Sequence, residues 1–174
     1  MAFGIRLFKK KLTAERAADL YMQNIFKVFE QTKERDYERI NDVCRPFNGK
    51  DIGNNDPGII RQELMLALIA LEFLFIKSMR PNKYDSLTEA VYGWMQSSLD
   101  NEMGTYALNV IKNEYIPDIE HVLREHLPPF DGVLFQLFYK LGIEFNATAA
   151  DRVTDILGSK FGGWKAILDE YRIM

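Results

Sequence analysis

The sequence predicts an all-α protein: a single-domain bundle of seven or eight helices around a central apolar helix at about residues 57–79. Three observations predict it. Apolar residues recur at helical spacing along most of the chain, and alternation is confined to a brief run at Phe3, Ile5 and Leu7. The segment from Leu64 to Ile76 is apolar at every position except Glu72, which marks a helix buried on all sides. Its apolar run falls short of the roughly 20 residues that a bilayer core demands. Finally, 174 residues with 47% hydrophobic and 27% charged composition match one globular domain and exclude a disordered or fibrous chain.

Residues 1–12 form a basic, aromatic arm that holds Arg6, Lys9, Lys10 and Lys11 and no acid. Removing those four cations from the 22 leaves 18 against 25 acids, so residues 13–174 are a body of net charge −7. Thr13 suits an N-cap, and Ala18, Tyr21, Met22, Ile25 and Phe29 share one helical face after it. Tyr37, Ile40 and Cys44 continue that phase, so one long helix and two shorter ones both fit. Pro46 is expected to end the helix at Arg45, with Asn48-Gly49 turning into a polar loop.

Asp56 as N-cap and Pro57 at the first helical position open the central helix, which should run to about Met79, with Arg80 to Lys83 as its exit turn. Ser86 and Glu89 have capping-box spacing, ahead of Leu87, Val91, Trp94 and Met95 facing inward. Thr105 suits the next cap. Leu108, Ile111, Tyr115, Ile119, Val122 and His126 then keep one phase across Pro117, which predicts one kinked helix as far as Pro128-Pro129. Asp131 suits the cap of an apolar segment, Val133 to Leu141, stopped by Gly142. Thr148 and Asp151 resemble another capping box, before Val153, Ile156 and Leu157 with Gly158 as the stop. Gly162-Gly163 hinges into a last helix with the stripe Trp164, Ile167, Leu168 and Tyr171. Pro46-Phe47-Asn48-Gly49 and Pro129-Phe130-Asp131-Gly132 share a pattern, but the residues after them do not match, so it reads as coincident turn chemistry.

A net charge of −3 and a pI near 5.5 argue against a nucleic-acid partner, because affinity for phosphate backbones comes from many released counterions. The single Cys44 permits no internal disulfide and no cysteine-built zinc ribbon, and with no secretory apolar segment at the start a reducing cytoplasm is expected. Cys44 also sits near a helix C-terminus, where the dipole disfavours a thiolate. No nucleophile elbow, zinc-protease pair, phosphate loop or dinucleotide fingerprint is found, so no catalytic residue is named and no cofactor is expected.

Three constellations remain. Glu114, Asp118, His121 and Glu125 fall on one helical face, and Asp118 with His121 copies the i, i+3 spacing of carboxylate-bridged metal bundles. A second such pair is missing, since Leu123 stands three residues before His126. Asp118, His121 and Glu125 are therefore metal candidates against an ordinary solvated acidic face, and His126 reads as a core-edge residue. Glu72 must reach a partner, escape to the surface or stay protonated. That makes Glu72 a ligand-binding candidate against a structural hydrogen bond or an edge position. Separately, the segment from Gly158 to Gly163 could cradle an anion at its backbone N–H groups with Lys160 close by, against the ordinary reading of a turn, which makes Lys160 the other ligand-binding candidate. In the arm, Phe3, Arg6, Phe8, Lys9, Lys10 and Lys11 suit an anionic membrane surface or an acidic partner, unless the arm packs its aromatics on the body.

The leading expectation is a helical protein-interaction or regulatory domain without chemistry of its own. Its rival is a small metal- or ligand-binding protein or enzyme that uses the acidic and histidine face; a third is weak peripheral membrane association through the arm. A protein partner is expected. A homodimer is one form of it, because Leu64 to Ile76 and Val133 to Leu141 carry more apolar surface than one surface helix needs.

Overall fold

A computed structural model describes residues 9–48 and 56–174, with side chains described for all of these except 44–48. The chain is all-α, with one short strand near each end of the described region. Helix α1 (Ala14–Asn48) is one helix of 35 residues. Thr13 caps it, its hydroxyl oxygen accepting the Arg16 N–H at 3.3 Å. It does not stop at Arg45: the helix runs through Pro46, in its final turn, to Asn48.

Helix α2 (Pro57–Met79) begins as expected, with the Asp56 carboxylate accepting the Gly58 N–H at 2.8 Å. Every residue from Glu63 to Phe73 is buried, which makes it the central helix. The exit turn is tighter than expected. Only Arg80 separates α2 from α3 (Pro81–Ser98), because Pro81 has the φ and the missing N–H that a first helical position favours. Ser86 is thus already inside α3, where its hydroxyl donates to the Lys83 carbonyl instead of forming a capping box. Leu87, Val91 and Met95 are buried, and Trp94 is half-buried.

Asp100, not Thr105, caps α4 (Asn101–Val110), accepting the Met103 N–H at 2.8 Å. That helix continues through a π-helical turn, Ile111–Tyr115, into α5 (Ile116–Arg124). The Ile116 N–H reaches the Ile111 carbonyl five residues back, so the helix widens just ahead of Pro117, which has no N–H to donate. Ile111, Tyr115, Ile119 and Val122 all stay buried. His126 leaves the apolar stripe. It is exposed, with φ 59°, in a Schellman turn where Leu127 N–H donates to the Val122 carbonyl and His126 N–H to that of Leu123.

Pro129 opens α6 (Pro129–Leu141) directly, which puts Asp131 in its first turn and not at its cap. Gly142 ends it in the expected left-handed conformation, with φ 60°. At Gly132 the backbones of α5 and α6 nearly touch: a Cβ there would stand 2.5 Å from Ile119 Cα. Asn146, not Thr148, caps α7 (Ala147–Lys160), and the helix runs past Gly158. Helix α8 (Gly163–Glu170) is shorter than the apolar stripe suggested, because Tyr171 belongs to a strand. That strand, β2 (Tyr171–Ile173), pairs in parallel with β1 (Lys10–Leu12), Lys10 opposite Tyr171 and Leu12 opposite Ile173. Buried side chains from Ala17 to Ile173 form one cluster, and no helix among the described residues is long and apolar enough to cross a membrane.

Candidate functional site

The strand pair and the α2–α3 corner enclose a cleft of about 790 Å³. The strand pair ties the end of the arm to the last segment of the chain, and the Met174 N–H adds a bond to the Leu12 carbonyl at 2.9 Å. Side chains alternate along an extended segment, and here Lys9 and Lys11 line the cleft while Lys10 does not. Arg80, the single non-helical residue between two helices, enters from the other wall together with Asn82 and Lys83. Arg172 comes from β2, and Leu168, Tyr171 and Ile173 supply apolar surface.

Five cations therefore meet in one concavity, and none of its described lining residues is acidic. The Lys9 ammonium donates to the Leu168 carbonyl at 2.6 Å, in the last turn of α8, where a cation meets the negative end of the helix dipole. An Arg80 guanidinium nitrogen donates to the Met79 carbonyl at 3.1 Å. None of the five is ion-paired with a carboxylate among the described residues. Taking them from the 22 basic residues leaves 17 against 25 acids, a net charge of −8 for the rest of the chain. An array of cations in a concave, partly apolar wall focuses its field on small or extended anionic groups, and the two arginines can hold a carboxylate through paired hydrogen bonds.

The two ligand-binding candidates receive separate internal partners in place of a ligand. Both carboxylate oxygens of Glu72 are taken by the start of α8, accepting N–H groups from Gly162 at 2.6 Å, Gly163 at 2.8 Å and Trp164 at 2.9 Å. The anion that the glycine junction suits is thus the buried acid of α2. Burial pushes the Glu72 carboxyl above the ordinary range, and the three amide bonds partly offset this. Tyr21 stacks on Trp164 at 4.4 Å beside it; burial, then the charge of Glu72, drives its phenol well above the ordinary range. Lys160 points elsewhere, into a buried ion pair with Asp36 at 2.8 Å, over the ring of Phe29.

The acidic face is not assembled. Asp118 is half-buried, His121 is exposed, and Glu125 leaves the helix as the C-terminal cap of α5. Glu114, one π turn away, pairs with Lys140 of α6 at 2.7 Å. Among the described residues no group of three or more His, Cys, Asp or Glu side chains stands where it could hold a metal ion. Phe3, Arg6 and Phe8 lie outside the described residues.

A second buried acid, Glu63, was not singled out from the sequence. It accepts hydrogen bonds from the Tyr106 and Tyr115 hydroxyls, the latter at 3.3 Å, and burial raises its carboxyl above the ordinary range. It directly precedes the apolar run, and an acid at that boundary was the only available signal. Arg80, Lys83 and Arg172 were missed too, since each reads as an ordinary surface cation until the fold brings them together.

No family model matches the chain, and no curated protein or solved structure matches it either.

Proposed function

We propose that this chain is a helical interaction domain that binds an extended acidic segment of a partner protein in its basic cleft, without chemistry of its own. The observation that carries this reading is the meeting of Lys9, Lys11, Arg80, Lys83 and Arg172 in one cleft on an otherwise acidic chain. The net charge of −8 outside the cleft opposes a long polyanion, whose further phosphates would lie against acids, whereas a short acidic peptide ends within reach of the cations. The two-stranded sheet adds backbone N–H and C=O groups at its edges, which an extended peptide can pair.

The test is fluorescence anisotropy with a labelled ten-residue peptide of alternating acidic and apolar residues. Binding that weakens steeply with salt is expected, and the double reversal Lys11→Glu with Arg172→Glu should weaken it about ten-fold or more. Both side chains are exposed, so their reversal leaves the core intact. Lys10→Glu, outside the cleft, should change little. Absence of binding at low salt, or equal binding by the double variant, overturns the reading, and so does a preference of the same residues for RNA or anionic vesicles.

A second reading, self-association, is favoured by an aromatic surface on and after α6. Phe135, Tyr139 and Phe145 are 62%, 84% and 54% exposed, with Phe135 and Phe145 stacked at 5.3 Å. Sedimentation of the full chain against Phe135→Ser with Tyr139→Ser tests it: a dimer lost in the variant supports it, and a monomer throughout rejects it.

A further inference from the structure

The basic cleft carries its cations on two walls. Lys9, Lys11 and Arg172 come from the strand pair and its approach, and Arg80 and Lys83 from the α2–α3 corner. Lys83 is half-buried and the other four are exposed, so each is accessible to a guest. Lys11 and Arg172 are register partners in the parallel pair, and their side chains leave it on the same face. Two of the five cations are placed before any guest arrives: the Lys9 ammonium by the Leu168 carbonyl at 2.6 Å, and an Arg80 guanidinium nitrogen by the Met79 carbonyl at 3.1 Å. Both acceptors are uncharged, so the two cations keep their charge and their remaining N–H groups for a guest.

Charge density decides which acidic group suits this arrangement. An extended segment turns alternate side chains to one side, so its carboxylates arrive singly, roughly 7 Å apart, each with one charge and two oxygens that point the same way. Carboxylates so spaced leave much of the charge on the two walls unmatched. A phosphorylated side chain brings a charge of about −2 and three strong acceptor oxygens on one tetrahedral centre. Those oxygens diverge, as donors on two walls require, and a guanidinium can hold two of them in a paired fork. Asn82 adds a neutral donor, and Leu168, Tyr171 and Ile173 offer apolar surface to a neighbouring side chain of the same segment.

Resting on the peptide reading of the same cleft, we propose that the acidic segment it takes carries a phosphorylated side chain, whose phosphate lies between Arg80 and the pair Lys11 and Arg172. The test compares three labelled ten-residue peptides of alternating acidic and apolar residues by fluorescence anisotropy. One has a serine at its centre and the second has that serine phosphorylated. The third has an aspartate at the centre and one more near its end, which matches the phosphorylated peptide in charge. The phosphorylated peptide should bind about ten-fold tighter than the serine peptide and about three-fold or more tighter than the charge-matched one. Its affinity should also rise between about pH 5.5 and about pH 7.5, as the second ionisation of the phosphate completes, while the other two peptides keep theirs. No histidine and no acid is among the described lining residues, so that rise belongs to the phosphate. Arg80→Lys keeps the charge but loses the fork, and should remove most of the advantage over the charge-matched peptide.

The proposal fails, with the peptide reading intact, if the phosphorylated peptide binds no tighter than the charge-matched one. It also fails if the affinity of the phosphorylated peptide is the same at both pH values, or if Arg80→Lys leaves its advantage whole. Equal or tighter binding of inorganic phosphate, or of vesicles that carry a phosphoinositide, assigns the phosphate to another source and overturns it. If none of the three peptides binds at low salt, the peptide reading falls and the phosphate site falls with it.

Discussion

Glu72 on the central helix accepts the backbone N–H of Trp164 at 2.9 Å, across 92 positions of sequence. With the Gly162 and Gly163 amides on the same carboxylate, the start of α8 is held by a side chain of α2. Helix α8 leads into β2, and β2 carries Arg172 into the basic cleft, so a core hydrogen-bond cluster positions a surface site. In Glu72→Gln the amide nitrogen of the side chain would face an N–H group in place of accepting from it. A loss of about 1–3 kcal/mol is expected, with faster amide exchange at Gly162, Gly163 and Trp164. Unchanged exchange at those three amides would reject this role.

Asp36 and Lys160 form a different kind of link. Their side chains are each 3% exposed, and the Thr32 hydroxyl also donates to Asp36, at 2.6 Å. Lys160→Met strands a buried carboxylate and should cost about 3–5 kcal/mol in urea unfolding, whereas the double change with Asp36→Leu should recover much of that loss. A double variant no better than the single one would show that the two charges are not coupled.

Glu63 gives stability a pH dependence of definite sign. Burial lifts its folded carboxyl above the unfolded value of about 4.3, so the folded state binds the proton more tightly. Its contribution is full below that value and falls as pH rises through the window up to the folded value. Glu63→Gln keeps one acceptor and one donor for Tyr106 and Tyr115 and removes the titration. Relative to the native chain, the variant should therefore gain stability between about pH 4 and pH 7, read from urea midpoints. An equal gap at both pH values would refute it.

Much of the architecture was legible because it is written in local pattern. The all-round apolar run from Leu64 to Ile76, the Asp56-Pro57 start and the stop at Gly142 depend only on neighbours within a few residues, and the structure has each of them. Caps were read less well. Asp100 and Asn146 displaced Thr105 and Thr148, because several polar residues near a helix start can each cap it and packing selects the register. At α6 the helix opens with Pro129, two residues ahead of Asp131. The phase across Pro117 was legible, but the π turn that accommodates it was not. Three-residue strands such as Lys10–Leu12 and Tyr171–Ile173 are too short to leave a periodic signal, and each exists only through the other.

Glu72 marks the division. The sequence by itself determined an all-α chain with a buried central helix and an acid in it that needed a partner, since hydrophobic period and desolvation act within one segment. It left the glycine junction before the last helix open, as an anion cradle or as a plain turn. Only the tertiary structure decided that the acid and the junction meet each other, that Lys160 turns to Asp36, and that Lys9, Lys11, Arg80, Lys83 and Arg172 share one cleft. Hydrogen bonds and charges act over a few ångströms of space, and distance along the chain says nothing of that until the helices are packed.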